Sequence, residues 1–210
     1  MELVGIFGGT FDPVHFGHLR TALESYAALQ LSEVRFVPAA QPPHRQAPVA
    51  PARARLEMVQ LAVRDQQGFV VDDCEYHRDG PSYMVDTLRY LRQSLADDQV
   101  LCLLVGADSL MTLDKWHEWQ QMFELCHVVA MSRPGYVISK EDMPVWMTSR
   151  FCDDVSMLAS RRCGCICLQT VTEQAIAASD VRAAIARGDN VSAQVPAAVI
   201  QYIREHKLYL

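Results

Sequence analysis

Basic residues are the minority among the charges: 19 lysines and arginines stand against 25 aspartates and glutamates, giving a net charge of −6 and a pI near 5.6. A dedicated nucleic-acid binder would carry a basic face. Any anionic ligand must therefore be held by a local cluster of positive groups, not by the field of the whole molecule. No apolar run approaches the roughly 18–20 residues of a membrane span. The opening MELVGIFGG lacks the basic region and long apolar stretch of a signal peptide. The glycine-rich loop that follows is neither a Walker A motif nor GxGxxG, and no HExxH array supports a catalytic zinc.

Seven cysteines, an odd number without a signal, point to reduced thiols in a cytoplasm. Cys163, Cys165 and Cys167 have period two, which on a strand places them on one face as small buried hydrophobes. The alternative is a zinc site, but that more often uses C-x-x-C spacing with a second pair, and none occurs here.

Half of the 210 residues are hydrophobic and 21% are charged, enough for an ordinary core in one domain spanning 1–210. Short apolar runs recur at 3–7, 34–40, 69–73, 100–106, 127–133 and 165–171, several rich in valine as strands buried on both faces require. Between them, 19–30, 54–65 and 84–95 repeat apolar residues at helical spacing. This alternation predicts an α/β fold, a Rossmann-like doubly wound parallel sheet with helices on both faces. Residues 134–164 show no clear period and read as a variable excursion, helical in places. In the segment 176–210, a helix starts near Ser179 and stops at Gly188, and a last helix near 196–206 opens with Pro196.

In such sheets ligands bind beyond the carboxyl ends of the strands, so the loops there carry the chemistry. The first is GGTFDPVHFGH, residues 8–18. Gly8 and Gly9 let a backbone approach a ligand closely, Thr10 offers a hydroxyl, and a helix beginning near His18 presents free amides to an anion. Gly17 removes a side chain where a polyphosphate could press. His15 and His18, three apart, then donate to phosphate oxygens. Three other readings compete: a surface or core pair, metal ligands with Asp12 or Asp108 as the third, and a covalent histidine nucleophile. The flanking glycines after a strand favour phosphate.

GGTFDPVHFGHL resembles the signature of the adenylyltransferase branch of the nucleotidyltransferase α/β phosphodiesterase superfamily. With PPHR, SYMVDTL, GADSL, Trp116, SRPG and a late S-x-x-R in that order, nearly the whole chain is similar to the bacterial nicotinate-mononucleotide adenylyltransferases. The resemblance implies transfer of AMP from ATP to nicotinate mononucleotide, giving deamido-NAD and pyrophosphate. It implies that His15, His18 and Arg182 act on the ATP phosphates, with Gly8, Gly9, Thr10, Phe11, Gly106, Asp108 and Ser179 completing the ATP site. For the mononucleotide it implies Thr10, His44, Arg45, Tyr83, Met84, Asp108, Trp116 and His117. Magnesium would be held mainly by the ATP phosphates, with no metal site in the protein. Partners would be the two nucleotides, with neither nucleic acid nor membrane, in a monomer or small homo-oligomer. Without the resemblance, Trp116 is equally a core residue, and His44 and Arg45 a solvated loop. The chain departs from the family pattern at Met84, where relatives usually have Thr, and at Ala177/Ala178, where a serine is lost. A relative preferring the amide mononucleotide or another phosphate acceptor, and a non-catalytic nucleotide sensor, are the alternatives.

Overall fold

The apolar runs become six strands: β1 (Glu2–Gly9), β2 (Glu33–Pro38), β3 (Phe69–Val71), β4 (Gln99–Gly106), β5 (His127–Ser132) and β6 (Ile166–Thr170). The computed structural model describes residues 1–43, 47–96, 98–132, 143–152 and 154–210. All neighbouring strands are parallel, in the order β3-β2-β1-β4-β5-β6. Parallel neighbours need a crossover. These are supplied by α1 (Phe16–Ala28), α2 (Ala52–Val63), α3 (Met84–Ser94), the pair α4 (Ala107–Leu110) and α5 (Trp119–Leu125), and α6 (Val145–Thr148). Two helices, α7 (Ala178–Ala186) and α8 (Ala197–Glu205), follow the last strand.

The period of two along each strand divides the core. Leu3 and Phe7 of β1, with Val100, Cys102 and Leu104 of β4, face one apolar cluster, which α1, α2, α7 and α8 cover with Leu19, Met58, Val59, Val181 and Val199. Val4 and Ile6, with Leu101, Leu103 and Val105, face the other, under Val85 and Leu88 of α3, Met122 of α5 and Met147 of α6. Each such aliphatic side chain contributes about 1.5–3 kcal/mol on burial, which makes the central strands the rigid base of the molecule. The doubly wound sheet expected from the sequence is therefore present, with helices on both faces.

Boundaries moved in informative places. The first helix begins at Phe16, two residues before His18, because His15 takes the N-cap position with extended backbone. Strand β6 starts only at Ile166, after Gly164 at φ +93. Cys165 and Cys167 are buried as expected, but Cys163 lies before that turn, outside the strand, and is half-buried. Gly188, at φ +77, does end α7, and Pro196 is the residue just before α8. Within the excursion, Met147 and Leu158 are buried in the core, and Phe151 bridges to Ile166. Among the described residues no helix is long and apolar enough to cross a membrane.

Strand order reverses direction between β1 and β4, so the loops leaving their carboxyl ends diverge and leave a crevice.

Candidate functional site

A cavity of about 670 Å³ occupies that crevice, floored by Phe7, His15 and His18 and walled by Gly106, Asp108 and Ser132. Its far side is the strap Val171–Ile176 between β6 and α7. The two histidines are stacked, their ring centroids 3.7 Å apart and tilted by 27°. The His15 amide donates to Nδ1 of His18 at 3.2 Å. That nitrogen must therefore be the acceptor, which places the proton of a neutral His18 on Nε2 and makes Nε2–H a donor. Burial pushes His15 down to about 4. Burial, and secondarily the neighbouring His15, hold His18 well below the usual histidine range. At neutral pH both rings are uncharged. Nδ1 of His15 is buried, with no hydrogen-bond partner among the described residues. The pair faces the cavity at the start of a helix whose Phe16, His18 and Leu19 amides are already bonded to main-chain carbonyls, so the imidazoles are the groups left to meet an anion.

The glycines of the loop give their space to protein side chains. A Cβ at Gly17 would lie 2.8 Å from Nδ1 of His15, so the room expected for a polyphosphate is taken by the imidazole. A Cβ at Gly9 would meet the Phe11 ring at 2.9 Å, and one at Gly8 would collide with the Met84 methyl. Phe11 itself adopts φ +48 and sets its ring edge-on to His18, centroids 5.0 Å apart. Met84 thus joins the first loop to α3.

Asp12 is not available as a metal ligand. Its carboxylate accepts from the amides of Val49 at 2.8 Å and Ala50 at 3.1 Å, and from the Tyr209 hydroxyl at 2.7 Å. Its carbonyl accepts from Nη1 of Arg182 at 2.7 Å. Arg182 is therefore pinned to the first loop by one nitrogen, with its side chain 30% exposed. Arg182 and Ser179 lie outside the lining of the cavity. The N-cap of α7 is Ala177, which offers no side-chain acceptor to the first turn. Asp108 is exposed at the cavity wall.

The residues expected for the mononucleotide gather on the adjoining loops. Tyr83, the N-cap of α3, stacks on His117 with centroids 4.2 Å apart. Trp116 is half-buried against the second core cluster, next to His117 at the end of the turn Leu113–Lys115. Thr10, half-buried, gives its carbonyl to Arg55 at 2.8 Å. His44 and Arg45 lie outside the described residues, as do Arg133, Pro134 and Gly135 of the SRPG motif.

Sequence reasoning missed Arg55, Tyr209 and the strap. Arg55 falls at an apolar-face position of its helix, with Met58, Val59 and Ala62 following at three, four and seven, and an arginine on that stripe was a legible signal. Tyr209 had none. In the strap, Gln174 accepts from Arg20 at 3.1 Å and the Thr172 amide donates to Glu24 at 2.6 Å, which ties this wall to the flank of α1.

Residues 6–184 match the cytidylyltransferase-like family. A protein of Methylococcus capsulatus bearing the name "Probable nicotinate-nucleotide adenylyltransferase" is 44% identical over 209 residues, covering 99% of both chains. One of Dechloromonas aromatica with the same name is 44% identical over 99% of this chain and 98% of its own. Among solved structures, the Plasmodium falciparum nicotinic acid mononucleotide adenylyltransferase complexed with NaAD superposes with a TM-score of 0.72 at 14% identity, covering 100% of this chain and 98% of that one. At that identity the superposition speaks for the fold alone. The full-length relatives speak for more: the chain belongs to the nicotinate-nucleotide adenylyltransferase family, within the cytidylyltransferase-like nucleotidyltransferases.

Proposed function

We propose that the protein transfers the adenylyl group of ATP to the phosphate of nicotinate mononucleotide, forming deamido-NAD and releasing pyrophosphate. The reading is carried by the stacked His15–His18 pair at the start of α1, facing the cavity between the β1 and β4 loops. The full-length relatives carry the name of this activity, and one structural neighbour is complexed with NaAD.

An oxygen of the mononucleotide phosphate attacks the α-phosphorus, the bond to the bridging α–β oxygen breaks, and pyrophosphate leaves. The nucleophile is already anionic, so the protein's work is positioning and charge stabilisation rather than proton removal. Nε2–H of His18 donates to the α-phosphoryl group as its charge grows, and His15 donates beside it. Arg182, with Nη1 fixed on Asp12, and Ser179 in the first turn of α7 hold the departing phosphates. The amides of Gly8 and Gly9, with Thr10 and Phe11, frame the triphosphate. Asp108 accepts from ribose hydroxyls beside Gly106. The pyridine ring rests against Trp116, with Tyr83, Met84 and His117 closing its pocket.

A magnesium ion would come with the triphosphate and neutralise part of its charge. The residues present fit a phosphate-held ion: Asp108 and Glu173 line the cavity from separate loops. Among the described residues no cluster of three or more His, Cys, Asp or Glu could hold a metal.

Pyrophosphate release from ATP and magnesium, with the acid or the amide mononucleotide as acceptor, tests the reading. Release with the acid in clear preference is the expected result. Faster turnover with the amide overturns the choice of acceptor, and no release with either leaves a nucleotide-binding protein without this activity.

A further inference from the structure

The guanidinium of Arg55, only 1% exposed, lies beneath the loops that follow β1 and β2. Nη1 donates to the carbonyls of Thr10 at 2.8 Å and Ala39 at 2.6 Å, and Nη2 to that of Ala40 at 3.2 Å. All three acceptors are main-chain atoms on the ligand side of the sheet. Thr10 belongs to the loop carrying His15 and His18. Ala39 and Ala40 lead into Gln41, whose amide donates to Oγ of Ser82 at 2.9 Å, while its carbonyl accepts from the Ser82 amide at 2.8 Å. Ser82 precedes Tyr83, which stacks on His117. One buried side chain therefore sits at the junction between the wall with the histidine pair and the wall assigned to the mononucleotide.

We propose that Arg55 is a positioning residue for adenylyl transfer, setting the distance between the two nucleotides through the loops it grips. This rests on the reaction proposed above. Loop carbonyls lack the ladder that fixes a strand, and a buried carbonyl needs a donor. A short neutral donor would satisfy one of them. The rigid planar fork of an arginine spans three and sets their mutual geometry, which the flexible point charge of a lysine does not. In a transfer between two bound substrates that geometry governs the rate, since a displacement near 1 Å can cost about 10²-fold. Neither nucleotide need touch Arg55 for this to hold.

Arg55→Lys and Arg55→Gln, made in the full chain, test the proposal. The expected result is a kcat lowered by about 30- to 100-fold in Arg55→Gln and less in Arg55→Lys, with the Kd of each nucleotide, titrated singly, within about threefold of the parent. A kcat equal to the parent's in both variants overturns it. So does a loss confined to the Kd of one nucleotide, and so does failure of both variants to fold, which would make Arg55 a stability residue. The unsubstituted protein is assayed alongside: if it releases no pyrophosphate, the reaction itself is wrong, independently of Arg55.

Discussion

His18 donates from Nε2 because its other nitrogen is already committed to the His15 amide, so one backbone contact decides the tautomer that faces the phosphates. His18→Ala is expected to lower kcat by about 10²–10³-fold, the scale of losing one donor to a developing oxyanion, with an unchanged far-UV spectrum. A kcat near the parent's would remove His18 from the chemistry. Asp12 plays the opposite part, a carboxylate used up by the fold. Asp12→Asn has one fewer acceptor oxygen for Val49, Ala50 and Tyr209, and is expected to cost about 1–3 kcal/mol in urea unfolding. The magnesium dependence of turnover should stay as in the parent. A raised magnesium requirement would instead make Asp12 a ligand. Trp116→Ala is expected to raise KM for the mononucleotide by about tenfold or more, as loss of a stacking ring costs, with little change for ATP. A change confined to the ATP KM would place the pyridine ring elsewhere.

At the scale of elements, the N-terminus of α1 sets helix stability against site geometry. Alanine at position 17 suits a helix better than glycine, by about 1 kcal/mol. Its Cβ would stand 2.8 Å from Nδ1 of His15 and displace the ring. Gly17→Ala is therefore expected to keep or raise Tm while kcat falls, a pairing that thermal melts and the pyrophosphate assay read together. An unchanged or raised Tm with intact kcat would mean that the ring moves aside without consequence for the chemistry. The same helix illustrates what the sequence makes legible. Its apolar stripe was readable from periodicity, and the strands of the sheet from their short apolar runs. The start at Phe16 was not, because an N-cap histidine satisfied by another histidine has no local spacing rule. Of the residues expected for the mononucleotide, Tyr83 and His117 come together as a stack. The stacking of Tyr83 on His117 depends on how α3 and the turn Leu113–Lys115 pack, which is a tertiary fact. Tyr209 was illegible for the same reason: its partner Asp12 lies 197 residues away.

For the whole molecule, buried neutral histidines couple the fold to pH. His15 stays neutral in the folded state until about pH 4, whereas the unfolded chain takes up that proton near 6.5. His127 acts in the same sense: burial lowers it, while its ring joins the Cys165 amide and the Arg161 carbonyl, each at 3.0 Å. Between those values the unfolded state binds more protons, so stability is complete above pH 6.5 and declines as pH falls towards 4. Unfolding in urea is expected to show a loss of about 2 kcal/mol or more between pH 7.5 and 5, and His15→Gln should flatten the slope. A slope unaltered by that substitution would place the acid sensitivity elsewhere.

The hydrogen bond between Asp12 and Tyr209 also has a consequence in time. A ribosome adds about 5–20 residues each second. The first loop emerges early, yet the hydroxyl that completes its bracing is made 197 residues later. For roughly 10–40 s of synthesis the nascent chain carries its histidine pair on an unfinished support. The first loop is therefore fully braced only once the segment that carries Tyr209 has been made, and that distant segment is the clasp that closes it.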